Sequence, residues 1–147
     1  MAKRQQPAAT VTTRRRKERA LAKSRSPVIV LVDDDSLLRR ALGRLLREHR
    51  LSVISFERPS EVLLSRLPAT NAILILDIYM PEMTGVALFR ELKARGFNAP
   101  VILITGRRDE MAAAYAKQIE AVAILYKPIE EKDLLEAIGQ AADGLID

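Results

Sequence analysis

Residues 28–32, 72–76 and 101–104 are short runs of apolar residues only: VIVLV, AILIL and VILI. A strand with one face in water alternates apolar and polar residues, whereas a run without any polar residue must be buried on both faces. Strands of that kind belong to a parallel sheet with helices packed on each side. The sequence between the runs supplies those helices. After the first run, Asp33-Asp34-Asp35-Ser36 leads into Leu37, Leu38, Ala41, Leu42, Leu45 and Leu46. That spacing is helical, with Asp35 or Ser36 as the N-cap. Residues 51–56 read as a strand, and residues 59–67 as a helix that opens on Pro59. Residues 86–95 form a helical pattern stopped by Gly96. Residues 109–118 are helical, residues 121–126 make a fifth strand, and residues 130–142 make a last helix. Its acidic start suits the helix dipole. Strand followed by helix, five times over, predicts an α/β fold: a five-stranded parallel sheet, doubly wound, with five helices.

The chain of 147 residues suffices for one ordinary domain. It contains no cysteine, which excludes disulfides and thiolate metal sites. No stretch approaches the roughly 20 apolar residues that span a bilayer, and no apolar run with a cleavage site opens the chain. A cytoplasmic location is expected. The net charge of +5 is unevenly spread. Residues 1–27 hold nine Lys or Arg and one Glu, while residues 28–147 carry an excess of three acidic groups. The first 27 residues are too poor in large apolar side chains to offset their ordering entropy, so they read as a mobile basic tail. Residues 28–147 form the folded domain.

In open parallel α/β sheets, ligands bind at the carboxyl ends of the strands. The first strand ends in Asp33 and Asp34, the third in Asp77, the fourth in Thr105 and the fifth in Lys127. The second ends in nothing of note. Crowded carboxylates raise one another's pKa values and call for a balancing cation. A hard divalent ion such as Mg²⁺ suits such oxygen ligands, and Lys127 adds a fixed positive charge. A metal, an ammonium and a hydroxyl together suit a transferring phosphoryl group, which needs positioning and charge neutralisation. A carboxylate can act as its nucleophile.

The segments VLVDDDSLLRR, LILDIYMPEMTG, VILITG and ILYKP resemble the receiver domains of two-component response regulators, from Val28 to about Ala142. The sequence Ile104-Thr105-Gly106 is similar to the subfamily of nitrogen-fixation regulators. The resemblance implies a flavodoxin-like strand order 2-1-3-4-5. It implies that Asp77 accepts phosphate from the phosphohistidine of a histidine kinase or phosphotransfer protein. Mg²⁺ would be bound by the side chains of Asp34 and Asp77, by the main-chain carbonyl of Tyr79, and by Asp33 through water. Thr105 and the Gly106 amide would contact the phosphoryl oxygens, and Lys127 would pair with the group. A cis Lys127-Pro128 bond is implied as well. The expected function is that of a phosphoacceptor in a phosphorelay, catalysing only its own phosphorylation and dephosphorylation.

Other features set further expectations. Members of the family commonly carry an aromatic residue or His three residues before the Lys, and here that position is Ile124, which cannot make the same rotamer swing. Tyr126, just before Lys127, points to the opposite side of the strand from it in an alternating pleat and is not expected to substitute. Tyr79 and Arg107, two residues after Asp77 and Thr105, are large and are expected to screen an acyl phosphate from water. Asp35 reads as a helix cap, Met80 and Met83 as packing residues, Pro81 and Gly85 as loop formers, and His49 as a solvated surface residue. Only Gly144–Asp147 follow the last helix, so the chain reads as a stand-alone receiver that signals by contact with a downstream protein. A homodimer would use the face of the fourth helix, fifth strand and fifth helix. Two alternatives are a phosphorylation-independent interaction module and nucleic-acid binding through the basic tail. A related hydrolase would need an acid/base Asp where Tyr79 stands.

Overall fold

A computed structural model describes residues 26–146. The basic tail expected over residues 1–27 lies almost wholly outside them. Ten elements alternate: β1 (Val28–Val32), α1 (Ser36–Glu48), β2 (Ser52–Phe56), α2 (Pro59–Leu64), β3 (Ala72–Asp77), α3 (Gly85–Ala94), β4 (Val101–Thr105), α4 (Glu110–Gln118), β5 (Ala123–Tyr126) and α5 (Glu131–Ile146). The strands form one sheet in the order β2-β1-β3-β4-β5, every pair parallel. This is the order that the resemblance implies.

The pleat sorts the apolar runs into two cores. Ile29, Leu31, Ile73, Ile75, Ile102 and Ile104 face one side, where Leu42 and Leu46 of α1 and Leu134, Ala137, Ile138 and Ala141 of α5 cover them. Val30, Val32, Leu74, Leu76, Val101 and Leu103 face the other, under Val62 of α2, Val86, Leu88 and Leu92 of α3, and Ala112 of α4. Every residue of β3 and β4 is buried, as strands covered on both faces require. Met80 and Met83 pack against the second core.

Three boundaries differ from the sequence reading by two residues or more. Helix α2 ends at Leu64 rather than at residue 67, because the Ser65 amide and hydroxyl both donate to the Val62 carbonyl, at 3.1 and 2.8 Å. Strand β5 starts at Ala123 rather than at residue 121. Before it, Glu120 takes a left-handed φ of 52° and the Ala121 amide bonds back to the Ala116 carbonyl, closing α4. Helix α5 continues past residue 142 to Ile146, since Leu145 extends the apolar stripe onto the first core. Gly96, at φ 90°, ends α3 as its position suggested, with the Phe97 amide donating to the Leu92 carbonyl.

Candidate functional site

The register puts the C-terminal ends of β1, β3, β4 and β5 side by side, with β2 outermost. Asp33, Asp77 and Thr105 are the buried polar or charged residues among those described, and all three sit on this rim. Burying two acids together is costly unless something pairs with them, and here the partner is Lys127. Its Nζ lies 3.0 Å from Asp33 Oδ2 and 3.2 Å from Asp77 Oδ2.

Each acid is held by local backbone. The Asp35 amide donates to Asp33 Oδ1 at 2.8 Å, and the Tyr79 amide donates to Asp77 Oδ1 at 3.3 Å. Asp35 is the N-cap of α1, accepting from the amides of Leu37 and Leu38, as its spacing predicted. Arg39 reaches back to donate to the Asp33 carbonyl at 2.7 Å. Gly85, at the start of α3, packs on the backbone of Asp77 itself. A β-carbon there would stand 2.3 Å from the Asp77 carbonyl oxygen. Glycine is thus required by the close approach of α3 to the end of β3, which is more than loop formation.

Burial and the charge of Asp33 push the Asp77 carboxyl up to about 7, against the opposing pull of Lys127 and the Tyr79 amide. Burial pulls the Lys127 ammonium down, but its close approach to Asp33 and the charges of Asp77 and Asp33 outweigh that, so it stays protonated above its ordinary range. The site therefore holds more negative charge than one ammonium balances.

The donor set fits a divalent cation. Asp33, Asp34 and Asp77 each offer an oxygen, and these atoms lie within 4.8 Å of one another. Asp34 is exposed, which leaves one side open to solvent. Asp33 Oδ2 is buried and accepts no well-aligned hydrogen bond; its approach to Lys127 is charge against charge. A buried carboxylate oxygen in that condition can still bind an ion or its water. The acidic cluster can hold a metal ion.

Thr105 ends β4 with its side chain buried, and its Oγ1 accepts from the Arg107 amide at 3.0 Å. Gly106 stands beside the aliphatic stem of Lys127, 3.9 Å from Cδ to an ideal β-carbon. The Lys127-Pro128 bond is cis. Tyr79, expected only to lend its carbonyl and screen the site, does more. Its hydroxyl donates to Asp109, at 3.2 Å to Oδ1 and 3.1 Å to Oδ2, and the Arg107 guanidinium lies 4.4 Å over its ring. Asp109 is also the N-cap of α4, accepting from the Ala112 amide. Sequence reasoning gave Asp109 no part in the site, because its link to Tyr79 depends on how two loops meet.

Ile124 packs against the second core. Tyr126, two residues on, shares that side of the strand and faces away from Lys127; its ring lies 4.4 Å under the Arg108 guanidinium. His49, expected to be solvated, is exposed but bonded: Nε2 lies 2.7 Å from Glu131 Oε1, tying the end of α1 to the start of α5.

Residues 29–139 match the family described as response regulator receiver domain. Nodulation protein W of Bradyrhizobium diazoefficiens is 33% identical over 109 residues, covering 74% of this chain and 48% of that protein. The response regulator protein TodT of Pseudomonas putida is 39% identical over 107 residues, covering 73% of this chain and 47% of TodT. The crystal structure of FixJ-N superposes with a TM-score of 0.73 at 31% identity, covering 84% of this chain and 98% of that one. The chain spans about half the length of these two curated relatives.

Proposed function

The chain belongs to the response regulator receiver domain family, and we propose that it is a phosphoacceptor of two-component signalling whose reactive group is Asp77. One observation carries this reading: the Asp77 carboxylate is buried beside a second acid and bridged to it by the Lys127 ammonium, at 3.2 and 3.0 Å. That arrangement suits an in-line transfer. A carboxylate oxygen of Asp77 bonds to phosphorus as the bond from phosphorus to the nitrogen of a donor phosphohistidine breaks. Lys127 pairs with the incoming oxygens, and the Thr105 hydroxyl and Gly106 amide receive others as they arrive. The Thr105 hydroxyl accepts from the Arg107 amide and so keeps its own proton free to donate to the phosphoryl group.

Mg²⁺ would be held by Asp34, Asp77 and the Tyr79 carbonyl, with Asp33 acting through water, and it would neutralise charge on the phosphoryl oxygens. The donor is a histidine kinase or a phosphotransfer protein. Output goes by contact with a downstream protein, and any homodimer uses the face of α4, β5 and α5. The chemistry is confined to the protein's own phosphorylation and dephosphorylation. No helix among the described residues is long and apolar enough to cross a membrane, which agrees with action in the cytoplasm.

The test is incubation with Mg²⁺ and acetyl phosphate, read by intact mass, or with beryllofluoride. Wild type should gain one phosphoryl group and the Asp77→Asn variant none. Equal labelling of both proteins, or none of either, would overturn the proposal.

A further inference from the structure

Asp77 is only 4% exposed, yet an acyl phosphate on it would be destroyed by a single water molecule. Three side chains outside the acidic cluster meet along one edge of the site. Tyr79 leaves β3 with its amide on Asp77, and its side chain crosses to the first residue of the α4 cap, Asp109. Arg107 leaves β4 with its amide on the Thr105 hydroxyl, and its guanidinium lies on the Tyr79 ring. Asp109 is fixed in turn by the Ala112 amide at 2.8 Å. The loop after β3 and the loop after β4 are thereby fastened to each other by one hydrogen-bonded and stacked unit.

We infer that Asp109 is a positioning residue that locks Tyr79 and Arg107 as a clasp over the phosphorylated Asp77 and so sets the lifetime of the phosphoryl group. The inference rests on the proposed function. In the step it controls, a water oxygen bonds to phosphorus and the bond from phosphorus to the Asp77 oxygen breaks. The electron pair stays on the Asp77 carboxylate, and inorganic phosphate leaves. One water proton goes with the phosphate and one to solvent. A fastened ring and guanidinium deny that water its approach between the two loops. Small phosphodonors must enter through the same gap, so the clasp also slows their access.

Tyr79→Phe keeps the ring and its stack but removes the hydroxyl. Asp109→Ser keeps a helix cap but is too short to reach Tyr79. The experiment loads wild type, both variants and the double variant with acetyl phosphate and Mg²⁺, then follows loss of the phosphoryl group after the donor is removed. Each single variant should shorten the half-life about three- to tenfold, the range expected for one hydrogen bond, and the double variant should lose no more than either. Loading by acetyl phosphate should quicken in the same variants, which mere damage to the site would not produce. Should Asp109→Ser fail to fold, Tyr79→Phe decides alone. Normal loading with a half-life within about twofold of wild type, or single effects that multiply in the double variant, overturns the clasp. Failure of wild type to load at all overturns the proposed function, and the clasp with it.

Discussion

Replacing Asp77 with Asn should make the metal-free protein more stable, and only above about pH 5. The carboxyl titrates at 3.8 in an open chain and at about 7 in the fold. Between those values the native state binds a proton that the unfolded state has released, so stability must fall as pH rises across the window. The favourable contribution is whole below the lower value and gone above the upper one. At about 1.4 kcal/mol per unit, the shift corresponds to a ceiling near 4 kcal/mol at pH 8. Asn resembles the protonated acid in shape and carries no charge, so it escapes this loss. It has a single oxygen, however, and cannot accept from both Lys127 and the Tyr79 amide as Asp77 does. That conflict offsets part of the gain and leaves about 2–3 kcal/mol.

Urea unfolding followed by far-UV circular dichroism, with chelator present, would measure the gap at steps from about pH 4 to 8. The Asn variant should be about 1–2 kcal/mol the less stable protein at the acid end, where the lost hydrogen bonding acts alone, and should overtake the wild type through the window. Added Mg²⁺ at pH 8 should narrow the gap by stabilising the wild type preferentially. An Asn variant less stable than wild type at pH 8, or a gap of equal size at both ends of the range, would refute the charge argument.

Gly85→Ala should cost about 3 kcal/mol, because the new carbon meets the Asp77 carbonyl oxygen at 2.3 Å and only backbone movement relieves it; urea midpoints give the cost, and slower loading by acetyl phosphate should accompany it. Lys127→Ala strips two buried carboxylates of their counter-charge, so without metal it should lose about 3 kcal/mol at pH 8 and less at pH 5, where Asp77 takes up a proton. A loss independent of pH in the same unfolding assay would show that packing of the lysine stem, and not its charge, is what matters.

The apolar runs disclosed the sheet because a strand covered on both faces leaves polar residues no place within it. Residues 28–32, 72–76 and 101–104 could therefore be read without any partner in view, and the chemistry appeared where those runs stop, at Asp33, Asp77 and Thr105. What escaped depends on atoms from elsewhere. The end of α2 is set by a hydroxyl folding back on Val62, a choice that serine makes or declines according to local geometry. The length of α5 depends on Leu145 finding the first core, across a glycine that a propensity reading takes as a stop. The pairing of His49 with Glu131 joins residues 82 apart, and that of Tyr79 with Asp109 joins residues 30 apart. No periodicity encodes either of them.

Strand order explains why the second strand could end in nothing of chemical interest while the fifth could not. With β2 outermost on one side, the ends of β1 and β3 are neighbours, so Asp33 and Asp77 converge without long side chains. The fifth strand lies two places from β3, roughly 10 Å away at ordinary strand spacing. A charge from there must travel along a long stem, and it must pass over the end of β4. Lys127 does so, with its Cδ beside position 106, where glycine presents no side chain to the passing stem. The Thr-Gly pair at the end of β4 thus has two physical tasks. On the proposed reading the hydroxyl of Thr105 would donate to an incoming oxyanion, and Gly106 sets no side chain beside the stem by which the ammonium reaches a carboxylate two strands away. A side chain much larger than a methyl at position 106 should leave every acid in place and still slow loading by acetyl phosphate, because a β-carbon there already reaches van der Waals contact with the Lys127 stem.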